Sequence, residues 1–170
     1  MVSESRTGHD AGNASRLAIL VDVQNVYYTT REAFGRHFDY HAFWARFTPG
    51  SQLIAANAYA VDRGDPRQQQ FQNILRGIGF RVKLKPFIQR RDGSAKGDWD
   101  VGITVDAMEL APSIDHLVLA SGDGDFDLLV HYLRERFDLK VTVVGVERLT
   151  ADSLIRAASD FVPVDPSLLR

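Results

Sequence analysis

Short, continuously apolar runs separated by helix-like stretches constrain the fold of this chain more than any other feature. Leu17-Ala18-Ile19-Leu20-Val21 is apolar throughout, which fits a strand covered on both faces. Leu53 to Val61, Leu117 to Ala120 and Val141 to Gly145 read as further strands. Phe80-Arg81-Val82-Lys83-Leu84-Lys85-Pro86 instead alternates strictly. That pattern predicts an edge strand with Phe80, Val82 and Leu84 toward the core and the basic residues outward, ended by Pro86. Helical patterns fall between these runs: Val26 to about Arg36, Tyr40 to Phe47, Pro66 to Gly77 or Gly79, Trp99 to Leu110, Phe126 to Phe137, and Asp152 to Ala158. A short extended end follows at Phe161 to Val164. Alternating strands and helices imply an α/β fold, a mostly parallel sheet with helices on both faces.

At 170 residues the chain suits one domain, expected over residues 16–170, after a flexible tail over 1–15. It has no cysteine, which excludes disulfides and cysteine-ligated zinc. No apolar run approaches the roughly 20 residues of a membrane helix, so no membrane partner is expected and a cytoplasmic protein fits. A net charge of −2 argues against coating nucleic acid through bulk charge. The charges are nevertheless segregated. Arg81, Lys83, Lys85, Arg90, Arg91 and Lys96 crowd one stretch, and Asp98, Asp100, Asp106, Glu109, Asp115, Asp123, Asp125 and Asp127 follow without a Lys or Arg among them.

In open parallel sheets, ligands bind beyond the carboxyl ends of the strands, where strand order reverses. Two apolar strands here end in acids: Val21-Asp22-Val23-Gln24-Asn25 and Ser121-Gly122-Asp123-Gly124-Asp125-Phe126. Were those strands neighbours, Asp22, Asp123 and Asp125 would converge, and crowded carboxylates are costly to ionise together without a cation. Hard oxygen donors suit Mg2+ or Mn2+ rather than zinc. Each aspartate taken alone reads more readily as a cap for the helix that follows it; acids on two strand ends favour the metal site. Asp98 reads best as a helix-opening acid, Asp100 is open between the two roles, and Asp106 reads as a helix-surface or supporting acid. The five histidines show no ligand-like spacing. Asp123-Gly124-Asp125 is not a calcium loop, because Leu128 and Arg134 stand where Gly and Glu are needed. No Gly-Lys-Ser/Thr follows to make a phosphate loop.

Taken together, these residues resemble the NYN domain of the PIN-like nuclease superfamily, closest to its LabA-like branch. The first motif of that family matches Asp22 and Asn25. The second matches Lys96, Asp100-Val101 and Asp106, and the third runs from Ser121 to Phe126. The last matches Asp160 before a final short strand. The spacing from Lys96 to Asp100 is one residue longer than the common form. The resemblance implies a PIN-like, Rossmannoid three-layer sandwich with a five-stranded parallel sheet in order 3-2-1-4-5. It implies Asp22, Asp100, Asp123 and Asp125 as magnesium ligands, with Asn25 and Ser121 supporting.

The reading that follows is a metal-dependent ribonuclease with RNA as partner, in which Lys85, Arg90, Arg91 and Lys96 contact backbone phosphates. Oligomeric state is open, a homodimer included. The rival readings are a metal-dependent phosphatase or phosphotransferase and a non-catalytic RNA-binding or regulatory domain. Haloacid-dehalogenase-type enzymes want Asp-x-Asp after the first strand, where this chain has Asp22-Val23-Gln24. Topoisomerase-primase-type sites want a Glu there.

Overall fold

A computed structural model describes residues 14–86, 88–89, 95–96 and 98–170, without the side chains of 88, 89, 95 and 96. The first strand, β1 (Ser15–Asp22), carries the apolar run, and Leu17 to Val21 are wholly buried. Its alternate residues face opposite ways. Leu17, Ile19 and Val21 join one apolar cluster while Ala18 and Leu20 join the other, as the period-2 geometry of a strand demands. A strand sandwiched in this way has no polar face to offer solvent.

The first cluster is completed by three helices on one side of the sheet: α1 (Val23–Phe34), α2 (Tyr40–Phe47) and α3 (Pro66–Ile78). The second is completed by α4 (Asp100–Leu110), α5 (Asp127–Phe137) and α6 (Asp152–Ala157) on the other. The remaining strands are β2 (Ser51–Asp62), β3 (Arg81–Pro86), β6 (His116–Ala120), β7 (Lys140–Gly145) and β8 (Asp160–Pro163). Strand order is β3-β2-β1-β6-β7-β8, all neighbours parallel. Order reverses between β2–β1 and β6, so the crevice beyond β1 and β6 is the switch point.

The expected three-layer α/β architecture and the 3-2-1-4-5 order are therefore present, with one correction. The sheet has six strands rather than five, because the extended end pairs with β7 from Thr142↔Asp160 onward. Four residues with two partly buried positions leave little periodicity to count; the pairing itself makes this segment a strand. β3 is the edge strand expected, but its basic face is only partly open to solvent: Arg81 is exposed, while Lys83 and Lys85 are half-buried. Lys83 and Lys85 lie beneath α4 and the residue before it, against Asp106 and Trp99. Leu84, expected inside, is 36% exposed.

Two strands of two residues each, β4 (Ile88–Gln89) and β5 (Ala95–Lys96), pair antiparallel outside the main sheet. By sequence alone residues 87–97 read as a polar loop turning at Asp92-Gly93, and the short strand pair corrects that reading at its two ends. That turn, Arg90 and Arg91, and most of the expected N-terminal tail lie outside the described residues. Among the described residues no helix is long and apolar enough to cross a membrane.

Candidate metal centre

The crevice is built from the ends of three elements. Asp22 closes β1 and caps α1: its Oδ1 accepts the Asn25 N–H at 3.3 Å. Its other oxygen, Oδ2, accepts the Ser121 hydroxyl at 3.3 Å. Ser121 Oγ in turn accepts the Asp123 N–H, and Asn25 Oδ1 accepts the Gly122 N–H at 2.8 Å. The β1 and β6 strand ends are thus stitched side chain to backbone. Their adjacency follows from direct pairing, Val21 opposite Ala120.

Asp123 caps the short turn after β6 by accepting the Asp125 N–H at 2.9 Å. Asp100 arrives from the first turn of α4. Carboxylate oxygens of Asp100, Asp123 and Asp125 can lie within 4.8 Å of one another. Asp22, Asp98, Asp100 and Asp123 line one open cavity of about 370 Å³ together with Gln24, Asn25, Tyr28, Thr29, Val61 and Arg63. The capping role and the clustering therefore coexist, since a carboxylate has two oxygens and one can cap while the other faces the crevice.

Burial and, after it, crowding show in the protonation of these groups. Burial pushes the Asp22 carboxyl up to about 6, with the charges of Asp123 and Asp98 adding to the shift against the hydrogen bonds from Asn25 and Ser121. Asp100 rises to about 7 through burial, a hydrogen bond with Asp123, and the charges of Asp123, Asp98 and Asp22. Both shifts favour the neutral acid, so the cluster carries less negative charge near neutral pH than as many free aspartates.

The other expected residues are placed elsewhere or at the rim. Asp98 lies at the rim, exposed, where its Oδ1 accepts the Asp100 N–H and its backbone carbonyl accepts from Lys85 Nζ. Lys85 itself sits 4.6 Å from the centroid of the Trp99 ring. Asp106, two turns further along α4, accepts from Lys83 Nζ at 2.6 Å and from the Tyr59 hydroxyl at 2.7 Å, outside the crevice. Burial pushes its carboxyl up, yet the Lys83 and Tyr59 hydrogen bonds with the Lys83 charge outweigh that and hold it below the usual range. Asp160 begins β8 and pairs with Lys140 at 3.3 Å. It lies three strands from β1, about 14 Å at ordinary strand spacing. Lys96 lies in β5.

Sequence reasoning missed several neighbours of the acids. Tyr28 and Thr29 fall one turn beyond Asn25 on the same face of α1, a spacing that helical periodicity counted from Asp22 would have found. Gly122, part of the Ser121 to Phe126 motif, has a steric role that the sequence does not reveal. A Cβ there would lie 2.8 Å from the Leu149 carbonyl oxygen, and one at Gly145 only 2.5 Å from Thr150 Oγ1. Both glycines let the loop after β7 press against the acid-bearing loop, where Ala151 N–H donates to the Gly122 carbonyl.

Comparison with known proteins agrees with this architecture. Residues 16–165 match the NYN domain. The chain is 29% identical over 159 residues to low amplitude and bright protein LabA of Synechococcus elongatus, covering 89% of this chain and 84% of that protein. It is also similar to a Vibrio parahaemolyticus protein of unknown function whose crystal structure superposes with a TM-score of 0.89 at 57% identity, over 92% of this chain and 97% of that one. Sequence match, strand order and the set of acids at the switch point agree: the chain belongs to the NYN domain family, within the PIN-like nuclease superfamily.

Proposed function

We propose that this crevice binds Mg2+ or Mn2+ and hydrolyses RNA phosphodiester bonds. The observation that carries the reading is the meeting of Asp100, Asp123 and Asp125 within 4.8 Å, beside an Asp22 whose carboxyl is pushed upward by burial and then by the charges of Asp123 and Asp98. The donor set fits the ion. It is all carboxylate oxygen, with neither Cys nor His among the lining residues, which suits a hard divalent cation. Bound there, such a cation would acidify a water molecule and offset charge on the phosphodiester.

The chain's own residues supply the holding and the orientation. Asp22, Asp100, Asp123 and Asp125 are the ligands. Ser121 and Asn25 fix them indirectly, Ser121 by bridging Asp22 to the Asp123 backbone and Asn25 by tying Gly122 to α1. Asp98 adds negative charge at the rim, and neither Asp106 nor Asp160 takes part. Membership of a nuclease superfamily supports phosphodiester chemistry, and RNA is the substrate class this family suggests. Lys85, Arg90, Arg91 and Lys96 lie in the segment leading from the sheet edge to Asp98, and we assign them to backbone phosphates.

The test pairs calorimetry with cleavage. Wild type should bind Mg2+ or Mn2+ and cut single-stranded RNA in a chelator-sensitive way. Asp123→Asn should lose the binding and at least a hundredfold in rate. Equal ion binding by the two proteins sinks the metal assignment.

A further inference from the structure

We propose that Tyr28 is a stacking platform for an unpaired nucleobase beside the acid crevice, so that the site takes single-stranded rather than duplex nucleic acid. This rests on the reading of the crevice as a phosphodiesterase site. Helix α1 starts at its Asp22 cap, and Tyr28 lies one helical turn, about 5.4 Å, beyond Gln24 and Asn25 on the crevice wall. It is 53% exposed, an unusual position for an aromatic ring serving only the core.

The ring is also braced. Tyr27 packs against it edge to face, centroids 5.3 Å apart at 76°. Tyr27 is itself held from two directions: it stacks on His37 with centroids 6.1 Å apart, and Arg31 Nη1 donates to its hydroxyl at 2.8 Å. A ring held by an aromatic neighbour, on a residue just over half exposed, loses little further freedom when a second flat ring covers it.

Charge explains why such a platform is needed. The crevice is lined by Asp22, Asp98, Asp100 and Asp123 against Arg63, and this excess of acids repels a phosphodiester until a metal cation offsets it. Stacking is indifferent to that repulsion and to base identity, because every base has a π-face. A base inside a duplex already has neighbours on both faces and must be unstacked first. An unpaired base is free to stack at once.

The test uses the full chain and a fluorescein-labelled oligoadenylate, offered single-stranded, annealed to its complement, and with abasic sites replacing adenosines. Anisotropy in Ca2+ reads binding, and steady-state kinetics in Mg2+ or Mn2+ read KM and kcat separately. Tyr28→Ala should weaken single-strand binding and raise KM roughly tenfold with little change in kcat. Tyr28→Phe should behave as wild type, and abasic sites should mimic the Tyr28→Ala loss. Unchanged Kd and KM in Tyr28→Ala, equal loss in Tyr28→Phe, or equal affinity for duplex overturns the stacking role. A wild type that binds through Tyr28 without cutting keeps the platform and sinks hydrolysis. One that neither binds nor cuts overturns both.

Discussion

Two aspartates on the same helix meet opposite fates. Asp106 sits under a sheet edge where Lys83 and Tyr59 both donate to it, and its carboxyl is held below the usual range despite burial. Asp100, six residues earlier, faces Asp123, Asp98 and Asp22, and burial together with these neighbours pushes its carboxyl up to about 7. Residue type and helix are the same; only the partners differ. Asp106 is a satisfied structural charge, closing a network that reaches through Tyr59 to Asn57. Asp100 belongs to a cluster whose charges oppose one another, an arrangement that functional sites favour over structural ones.

The largest expected effect separates the two in catalysis. Asp100→Asn should lower metal-dependent RNA cleavage by a hundredfold or more, while Asp106→Asn, outside the crevice, should stay within a few-fold of wild type. Comparable losses in both variants, measured on protein shown to be folded, would make Asp106 part of the machinery and erase the contrast.

Stability should reverse the ranking. Asp106→Asn strips Lys83 of its partner in a pair whose side chains are 28% and 18% exposed. It should cost about 1–2 kcal/mol, less than a fully buried pair because of that exposure. Asp22→Asn should instead stabilise the chelated protein by about 1 kcal/mol, since it removes a buried, crowded charge at nearly constant volume. It should also shrink the stabilisation gained from Mg2+. Because Asn caps a helix about as well as Asp, a neutral result with an unchanged Mg2+ response would leave Asp22 a cap alone. Thermal unfolding in chelator and in millimolar Mg2+ reads all four cases.

The smallest effect is in pH. Asp22 and Asp100 have folded pKa values of about 6 and 7 against an ordinary 3.8. Their contribution to stability is fully present below about pH 4 and lost as pH rises through 6 and 7, where the folded protein must ionise crowded carboxyls. Asp106 runs the other way: its contribution is present above 3.8 and lost as pH falls through its lower folded value. In chelator, the stability of Asp22→Asn relative to wild type should therefore grow between pH 4 and 7. A pH-independent difference across that window would contradict the burial and crowding assigned to Asp22.

Much of this was legible in the residues. The unbroken run Leu17 to Val21 requires cover on both faces, and the acids directly after β1 and β6 mark the crevice, because strand period and strand ends are local properties of sequence. Helix starts were readable where a cap stood in place, as at Pro66 behind Asp65. α1 starts three residues before the expected Val26, since its first turn, Val23-Gln24-Asn25, continues straight from the strand and only the Asp22 cap marks the change.

The sequence by itself determined the α/β layering and supplied aspartates at two strand ends, since periodicity and chain adjacency act over a few residues. Which aspartates meet was decided only in three dimensions. Asp100 joins Asp123 and Asp125 because the helix it opens packs against the turn that follows β6. Asp106 is withdrawn from them by Lys83, whose alternating position in β3 gave no hint that a helix would cover it. Tyr28 reaches the crevice wall because α1 packs where it does, and the sixth strand exists because β7 offers it an edge. Such pairings join residues tens of positions apart, and their energies depend on crossing angle and register, quantities that local sequence does not contain.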